Sequence, residues 1–449
     1  MRSDSLIGNR LEIRITYSDV EYFLKGCFIM VYVISEDGQQ LMPTTNVIAR
    51  LLLKENKAKC IKRTPFAIKL LYQTTNYTQD LTLGMDTGSG NIGTAVVNDK
   101  NEVVYLSQIE IRNDITKKLT QRSKYRRNRR NRKTRYRKAK WNNRKNSIKK
   151  DRFSPTMTSK IDSHLKEINF VKSILPITKT ILETATFDPH ALKNPDVLKN
   201  KWLYQKGVNY GFANTKAYVL TRDKYACQNC KGKTKDSKLE VHHIVFRSNG
   251  GSDEYDNLIT LCKTCHDKLH QGKVALKGGK KKGQLKHATQ MNSIRKQLLK
   301  TLPNAIETFG YITKEHRQLM NLPKEHYMDA VVIASQGDIV NFATNSVLYK
   351  KCVSDGDYQK SKGIRSEQSI PTGKIQGLRK FDKVKYLGRE YFIKGRMSTG
   401  YAILMDIYGN KINFSNAPKG MKTPKMGNMV RIKSREAWIM ESKPLQFIS

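Results

Sequence analysis

Acidic residues and long apolar runs are both scarce in this sequence. Asp and Glu together number 39 against 83 Lys and Arg, which gives a formal net charge of +44. Solubility alone does not require so large a charge, so a polyanionic partner is expected. No apolar run approaches the roughly 20 residues that would cross a bilayer. Nucleic acid is therefore a better candidate partner than a membrane.

A disulfide framework and a secretory signal are also missing. Of seven cysteines, four form two Cys-x-x-Cys pairs, and Cys27, Cys60 and Cys352 are scattered. The first 29 residues are interrupted by charges such as Arg14 and lack the order of a secretory signal. We therefore expect a reducing, cytoplasmic location.

The 449 residues suffice for roughly two to four domains, and local patterns predict a mixed α/β organisation. Alternating apolar residues and turn signals predict strands, and helical periodicity predicts helices. The predicted strands are Phe28–Ile34, Leu81–Met85, Ile92–Val97 and Val103–Ile111. The predicted helices are Asn46–Glu55, Ile161–Ala185 and Leu322–Ala334, the last with Pro323 in its first turn. Short strands in the final hundred residues predict a small β-barrel.

One segment is strongly basic. Lys117–Lys150 contains 18 Lys or Arg and no acidic residue, with neither Pro nor Gly to interrupt a helix. Like charges one turn apart destabilise a helix unless something neutralises them. The backbone of a nucleic acid is the expected counterion.

Two cysteine pairs predict a structural zinc site. Cys227 and Cys230 form the first pair, and Cys262 and Cys265 form the second. This is the spacing at which four thiolates surround a tetrahedral zinc ion. Incidental pairs of buried or redox cysteines are the alternative.

Histidines and an asparagine lie between and just after these pairs. They are His242 and His243, Asn257, His266 and His270. A strand with paired histidines and a helix with two more, at the i, i+4 spacing of one face, can place imidazoles around a divalent cation. One histidine would stay free. Packing or capping is the alternative role for His270.

Residues 220–270 resemble the HNH, or ββα-metal, nuclease family in every signature position. The resemblance implies that His243 is the general base that activates water and that Asn257 orients that water. It also implies that His242 and His266, with His270, hold Mg²⁺. A neutral imidazole can accept a proton near pH 7 while a metal stabilises the transition state.

Asp86 follows an apolar strand and precedes the turn Thr87-Gly-Ser-Gly-Asn-Ile-Gly93, which allows three interpretations. An aspartic protease would need a second copy of this motif for its carboxylate dyad, and the sequence has none. A phosphate-binding turn of the actin-like kinases is weakly supported by one Gly-rich turn. The third interpretation is the first carboxylate of an RNase H-like nuclease.

The third interpretation requires further acidic residues to gather divalent cations. Glu183 and Asp329 are suitable, and His326 lies three residues before Asp329 on the same predicted helix face. Each has a structural alternative, since Glu183 could be a solvated helix residue and Asp329 could complement a helix N-terminus.

Together these motifs resemble the IscB family, which comprises transposon-encoded RNA-guided nucleases related to the CRISPR type II effectors. Gln40-Leu-Met-Pro43 is similar to the family's Pro-Leu-Met-Pro motif, with Gln in place of the first Pro. Asp86, Glu183, His326 and Asp329 match the three RuvC segments. The family's arginine-rich bridge helix matches the following residues: Arg122, Arg126, Arg127, Arg129, Arg130, Arg132, Arg135 and Arg137.

The resemblance implies an α/β multidomain fold with an RNase H-like (RuvC) core split in three and an inserted ββα-metal HNH domain carrying a four-cysteine zinc ribbon. It divides the chain into an unassigned extension (1–29), a PLMP-like N-terminal module (30–78), RuvC-I (79–115), an arginine-rich bridge helix (116–150), RuvC-II with a connection (151–215), the HNH domain with its zinc ribbon (216–275), a linker with RuvC-III (276–350) and a small, β-barrel-like C-terminal domain (351–449) that binds RNA and reads a short target-adjacent motif.

The activity implied is cleavage of both DNA strands in a prokaryotic cytoplasm. HNH would cut the strand paired with an omega-type guide RNA, and RuvC would cut the displaced strand, with Mg²⁺ at both sites and structural Zn²⁺ at the cysteines. One protein per RNA and a double-stranded target with a short flanking motif are implied. A guide-independent HNH endonuclease and a non-catalytic zinc-ribbon nucleic-acid-binding protein are the alternatives.

Overall fold

The structure is a computed structural model that describes residues 30–131, 153–249, 251–276, 285–354, 376–397, 399–418 and 420–445. The chain forms two compact units. The larger unit combines Met1–Ala185 with Ser293–Ser449, and the inserted unit is Thr186–Asn292. Within the described residues, no helix has the length and apolar character needed to span a membrane.

Seventeen strands and ten α-helices are described. The strands are β1 (Tyr32–Ile34), β2 (Ala58–Arg63), β3 (Phe66–Leu70), β4 (Leu81–Asp86), β5 (Asn91–Asn98), β6 (Glu102–Glu110), β7 (Lys179–Thr184), β8 (Leu239–His243), β9 (Leu258–Cys262), β10 (Ile306–Phe309), β11 (Asn341–Phe342), β12 (Ser346–Cys352), β13 (Lys383–Tyr386), β14 (Arg389–Arg396), β15 (Ala402–Met405), β16 (Val430–Lys433) and β17 (Trp438–Pro444). The helices are α1 (Asn46–Lys54), α2 (Ile115–Asn131), α3 (Pro155–Lys172), α4 (Pro189–Lys193), α5 (Asp196–Lys199), α6 (Thr215–Arg222), α7 (Lys263–His270), α8 (Lys286–Thr301), α9 (Gly310–Leu319) and α10 (His326–Ser335). Short 3₁₀ turns are Lys201–Tyr204, Arg247–Asn249, Tyr255–Asn257 and Met426–Asn428.

An eight-stranded mixed sheet forms the centre of the larger unit. Its order is β10-β7-β4-β5-β6-β12-β17, and β11 pairs with β6. Strands β4, β5 and β6 form an antiparallel meander, whereas β7 and β10 continue parallel to β4. Strands from distant parts of the chain therefore meet in one sheet.

Helices α3 and α10 cover opposite faces of this sheet. Leu106 of β6 packs in the cluster that contains α10, whereas its neighbours Tyr105 and Ser107 hydrogen-bond Glu167 of α3. The approach of α10 depends on glycine, because a Cβ on Gly93 would lie 1.8 Å from the carbonyl oxygen of His326. Any side chain at that position would push α10 away from β5.

Two smaller sheets complete the larger unit. Strands β1, β3 and β2 form a three-stranded sheet that packs against α1. Near the C-terminus the order is β15-β14-β13-β16, with antiparallel pairing throughout. Next to its two edge strands, Tyr401 and Lys425 form an isolated antiparallel bridge, and the small β-barrel stays a prediction. The last strand, β17, belongs to the central sheet. There it pairs with β12 and satisfies the backbone hydrogen bonds along the outer edge of β12.

Two predicted helix boundaries are wrong. The predicted helix Ile161–Ala185 ends at Lys172, and Lys179–Thr184 is the strand β7. Pro176 and the β-branched residues that follow it favour this change. The helix predicted from Leu322 begins at His326, with Glu325 in extended conformation at its N-cap. Pro323 therefore precedes the helix instead of occupying its first turn.

The inserted unit is built on a two-stranded hairpin and one helix. β8 and β9 pair antiparallel, and α7 follows β9 directly. The small core consists of Cys227, Leu261, Cys262 and Cys265. So small a core needs a further stabilising element, which a metal site can supply.

Candidate functional site

The four paired cysteines converge at one point of the inserted unit. Their Sγ atoms all lie within 4.8 Å of one another. The Thr234 hydroxyl lies 3.1 Å from Sγ of Cys230 and lowers the pKa of Cys230 to about 6. Four sulfur donors at this separation fit a tetrahedral zinc ion, whose Zn–S bonds are about 2.3 Å long.

Three histidines form a second cluster. The ring nitrogens of His242, His266 and His270 lie within 4.8 Å of one another, with His242 on β8 and the other two on α7. His242 is buried, and within the described part of the chain its Nε2 has no hydrogen-bond partner. Burial and the neighbouring imidazoles lower the pKa of His242 to about 4. A neutral, unpartnered imidazole nitrogen fits a metal ligand.

A carboxylate supports this histidine cluster. Glu240 precedes His242 by two residues, so both side chains lie on the same face of β8. Its Oε2 lies 3.1 Å from Nδ1 of His266. A carboxylate that accepts a hydrogen bond from one nitrogen of a histidine directs the other nitrogen towards a metal. Our sequence analysis missed Glu240, although the alternation of β8 could have indicated it.

His243 points to a different group of residues. Its Nε2 lies 2.7 Å from Oδ1 of Asp253, and the same oxygen accepts a hydrogen bond of 2.7 Å from Nε of Arg247. The two histidines alternate along β8, so they face opposite sides of the hairpin. Asp253 was missed in the sequence analysis, because its contact depends on the loop between the two strands.

Asn257 holds that loop in place. Its Nδ2 donates to the carbonyl oxygens of Val245 and Ser252 at 2.9 and 2.8 Å, and its Oδ1 accepts from the Val245 amide at 2.8 Å. Both amide protons are thus used by backbone. We expected Asn257 to orient the attacking water, whereas its observed contacts are those of a residue that fixes the loop after His243.

A carboxylate cluster lies in the larger unit. Asp86 ends β4, and its register partner on the parallel strand β7 is Glu183. His326 and Asp329 lie in the first turn of α10, and Nδ1 of His326 is 2.6 Å from Oδ2 of Asp86. The structure therefore brings together all four residues that the sequence analysis assigned to this site.

Burial and neighbouring negative charge make Glu183 and Asp329 reluctant to ionise. Burial, with the charges of Asp86 and Asp329, raises the pKa of Glu183 to about 7. Burial and Asp86 also raise the pKa of Asp329. The Glu183 Oε2 atom is buried and has no hydrogen-bond partner among the residues that the structure describes. Crowded carboxylates with an unpartnered oxygen fit a site for divalent cations.

Neighbouring groups position this cluster. The Thr87 hydroxyl donates to the Glu183 carbonyl oxygen at 2.6 Å, and Nε of Arg317 lies 2.8 Å from Oδ1 of Asp329. On α3, Lys160 donates to the carbonyl oxygen of Ser89 in the turn after Asp86. The sequence analysis missed these groups, since nothing local to them indicates that they meet.

The basic segment is only partly described. Helix α2 is seen as far as Asn131, with Arg122 and Arg127 exposed. Three of the predicted nucleic-acid-binding residues lie outside the described residues: Arg132, Arg135 and Arg137. For three others only the helical backbone is described: Arg126, Arg129 and Arg130.

Comparisons with known proteins match two parts of the chain. Residues 31–207 match the family described as RRXRR protein, and residues 227–272 match the HNH endonuclease family. The type IV methyl-directed restriction enzyme EcoKMcrA of Escherichia coli K12 is 42% identical over 67 residues, which are 13% of this chain and 24% of that enzyme. Anaredoxin of Nostoc sp. PCC 7120 is 33% identical over 67 residues, which are 15% of this chain and 86% of anaredoxin. The match thus spans about a quarter of the restriction enzyme.

Proposed function

Because residues 227–272 match the HNH endonuclease family, we propose that this chain is an RNA-guided DNA endonuclease that cuts both strands at two separate centres. The HNH centre consists of His242, His243, Asn257, His266 and His270. The carboxylate centre consists of Asp86, Glu183, His326 and Asp329. The family match supports nuclease activity. The guide RNA and the carboxylate centre are proposed in addition to it.

The observation that carries the proposal is the carboxylate centre. Its residues come from three segments separated by about a hundred residues or more, yet they meet where β4, β7 and α10 end or begin. The sheet order around them supports an RNase H-like core split in three. A protein that used only its HNH centre would have no need of three crowded carboxyl groups.

At the HNH centre, His243 takes a proton from the attacking water through the imidazole nitrogen that does not contact Asp253. Asp253 holds the ring in one tautomer, and Asn257 fixes the loop that carries Asp253. His242, His266 and His270 would hold a divalent cation, which supplies charge stabilisation for the phosphate undergoing attack. One face of β8 would thus provide the general base, His243, and the other face would provide a metal ligand, His242.

At the carboxylate centre, Asp86, Glu183 and Asp329 would hold Mg²⁺, the cation that oxygen ligands suit. His326, hydrogen-bonded to Asp86, is placed to exchange a proton with the attacking water or the leaving group. The hydrogen bond that the protonated His326 imidazole donates to Asp86 raises the pKa of His326. This favours a protonated imidazole that can donate to a leaving oxygen.

The two centres differ in their donor atoms, which revises our expectation of Mg²⁺ at both. Three imidazole nitrogens suit Co²⁺, Ni²⁺ or Zn²⁺ better than Mg²⁺, whereas carboxylate oxygens suit Mg²⁺. We therefore assign Mg²⁺ to the carboxylate centre and a transition-metal ion to the histidine cluster. Zn²⁺ at the four cysteines has a structural role.

The guide RNA is tested by recovering nucleic acid bound to the protein. We expect the chain, expressed with its native flanking DNA, to retain one abundant structured RNA bound in part by α2. Replacing the guide segment of that RNA should redirect cleavage to a matching duplex that carries the short flanking motif. One protein per RNA is expected by mass photometry. Equal cleavage with matched and mismatched guides would contradict guidance.

A guide-independent HNH endonuclease is the second candidate, and the similarity to a restriction enzyme favours it. In that case the protein freed of RNA should cut duplex DNA, and Asp86→Ala should leave that cutting unchanged. Cleavage that requires added RNA would exclude it.

A further inference from the structure

One segment of the inserted unit combines exposed aromatic rings with positive charge. Residues 197–222 contain five Lys or Arg and no Asp or Glu. They also contain five aromatic residues, namely Trp202, Tyr204, Tyr210, Phe212 and Tyr218. Val197 and Val219 are the hydrophobic residues of this segment that are buried. The aromatic rings therefore contribute little to a core.

Three side chains of this segment stack on one another. Trp202 is 55% exposed and Tyr210 is 62% exposed. Nζ of Lys206 lies 4.7 Å from the ring centroid of Trp202 and 4.9 Å from that of Tyr210. We call Trp202, Lys206 and Tyr210 the aromatic platform. Its arrangement leaves outer ring surface available to a ligand.

The backbone of the platform is ordered by local turns. The Lys206 amide donates to the Trp202 carbonyl oxygen at 3.3 Å, and the Tyr210 amide donates to the Gly207 carbonyl oxygen at 2.8 Å. The spacing of the three side chains is thus set before a ligand arrives. A preformed site loses less conformational entropy on binding than a disordered one.

The chemistry of the platform fits unpaired nucleotides. Aromatic rings stack on nucleobases irrespective of sequence, and a cation beside them can pair with the phosphate between two bases. An apolar protein partner would not require a segment free of acidic residues. The charge of the segment selects a polyanion, and its rings select a polyanion whose bases are accessible.

Phe212, two residues after Tyr210, begins a series of aromatic contacts that reaches the HNH centre. Phe212 packs edge-on against Tyr218 at 5.3 Å between centroids, and Tyr218 packs against Tyr255 at 5.6 Å. Tyr255 begins the turn that ends at Asn257. Arg222 fastens this turn by donating to the Tyr255 carbonyl oxygen at 2.8 Å. The platform is therefore followed directly in the chain by the residues that support the catalytic loop.

We propose that the aromatic platform binds the unpaired bases of single-stranded DNA adjacent to the duplex that the HNH centre cuts. The choice of DNA over RNA rests on the proposed function, because the HNH substrate is DNA. Binding itself is independent of catalysis. The platform can therefore be tested without any cleavage reaction.

Trp202 provides the direct test. In the full-length chain carrying Trp141→Phe, the remaining tryptophans are Trp202 and the buried Trp438. Titration with an oligothymidylate should quench the Trp202 emission, because a stacked base quenches indole fluorescence. Adding Trp202→Phe should abolish the quenching while retaining a ring for stacking. Unchanged emission in the presence of saturating oligothymidylate would overturn the proposal.

Two further variants separate stacking from charge in the same titration. Tyr210→Ala should weaken binding roughly tenfold, the effect of one lost stacked base. Tyr311→Ala, which removes an exposed ring from the larger unit, is the matched control and should have no effect. Lys206→Ala should lower the slope of log K against log salt by about 0.7, because one phosphate contact is lost. Equal effects of Tyr210→Ala and Tyr311→Ala would contradict the platform.

Other occupants give different results. An oligouridylate that quenches Trp202 at concentrations where oligothymidylate does not would assign the platform to RNA and overturn the proposal. A dimer that dissociates on Trp202→Ala would assign it to a second copy of this chain. Quenching without any cleavage would refute the proposed function alone, whereas cleavage without quenching would refute the platform alone.

Discussion

At the scale of single residues, Glu183 lies in an environment that disfavours its charged form when no metal is bound. It is largely buried beside Asp86, and its pKa is raised to about 7 by burial and by the neighbouring carboxylates. A carboxyl group whose folded-state pKa exceeds its unfolded value favours the folded state at low pH. That contribution decreases as the pH rises from about 4.5 to about 7. Metal binding would remove this cost.

We predict that Glu183→Gln raises the thermal midpoint of the metal-free protein at pH 8 and raises it much less at pH 5. The neutral amide resembles the protonated acid that wild type carries at pH 5, but avoids the buried charge at pH 8. The gain at pH 8 is on the order of 1–3 kcal/mol. Thermal unfolding without added Mg²⁺ measures it. Equal shifts at both pH values would contradict the assigned cause.

Donor atoms lead to a second prediction at this scale. Co²⁺ or Ni²⁺ should support cleavage of the guide-paired strand about tenfold faster than Mg²⁺, because the histidine cluster offers nitrogen ligands. Cleavage of the displaced strand should proceed with Mg²⁺. His242→Asp replaces a nitrogen ligand by an oxygen ligand. In this variant, Mg²⁺ should support cleavage of the guide-paired strand better than it does in wild type. Strand-resolved cleavage rates measure this, and identical metal profiles for both strands would refute the assignment.

At the scale of elements, a fully buried ion pair connects α3 to the central sheet. Nζ of Lys350 on β12 donates to Glu167 at 2.6 Å and to the Tyr105 hydroxyl at 2.9 Å, and both charged side chains are 0% exposed. Tyr105 and Ser107 also donate to Glu167. The network fixes α3, and with it Lys160, which holds the turn after Asp86. Burying two charges costs desolvation free energy. Removing one partner destabilises the fold strongly, because it leaves the other charge buried and unpaired.

Lys350→Met should therefore destabilise the larger unit by about 3–5 kcal/mol, because it leaves Glu167 buried without its partner. The matched control is Lys351→Met, which removes a more exposed pair with Glu110 and should cost less than about 1 kcal/mol. Chemical denaturation followed by the fluorescence of nearby Trp438 compares them. Adding Glu167→Gln to Lys350→Met should recover part of the loss. Similar costs for the two lysine variants would contradict the network.

The zinc centre determines whether the elements of the inserted unit hold together. Cys262→Ser should lower the zinc content by about one ion per chain and loosen α7, because a tetrahedral site needs four ligands. Cys60→Ser, a cysteine outside the cluster, should retain the ion. Elemental analysis gives the zinc content, and hydrogen exchange reports on α7. An unchanged zinc content in Cys262→Ser would show that these cysteines do not hold a structural zinc ion.

At the scale of the whole molecule, local motifs were more informative than long-range pairing. The cysteines and histidines lie within 44 residues, from Cys227 to His270, so their spacing was enough to predict the two clusters. The strands from Leu81 to Glu110 also followed from their alternation. By contrast, Glu183 was predicted on a helix and lies on β7. The pairing of β17 with β12 and the contact of Lys160 with Ser89 depend on the folded chain, which no local pattern encodes.

The most direct test of two separate centres is strand-resolved cleavage of a guided duplex that carries a different label on each strand. Wild type should cut both strands. His243→Ala should spare the guide-paired strand, and Asp86→Ala should spare the displaced strand, with the other cut retained in each variant. Loss of both cuts in either variant, or full cutting by Asp86→Ala, would contradict the account.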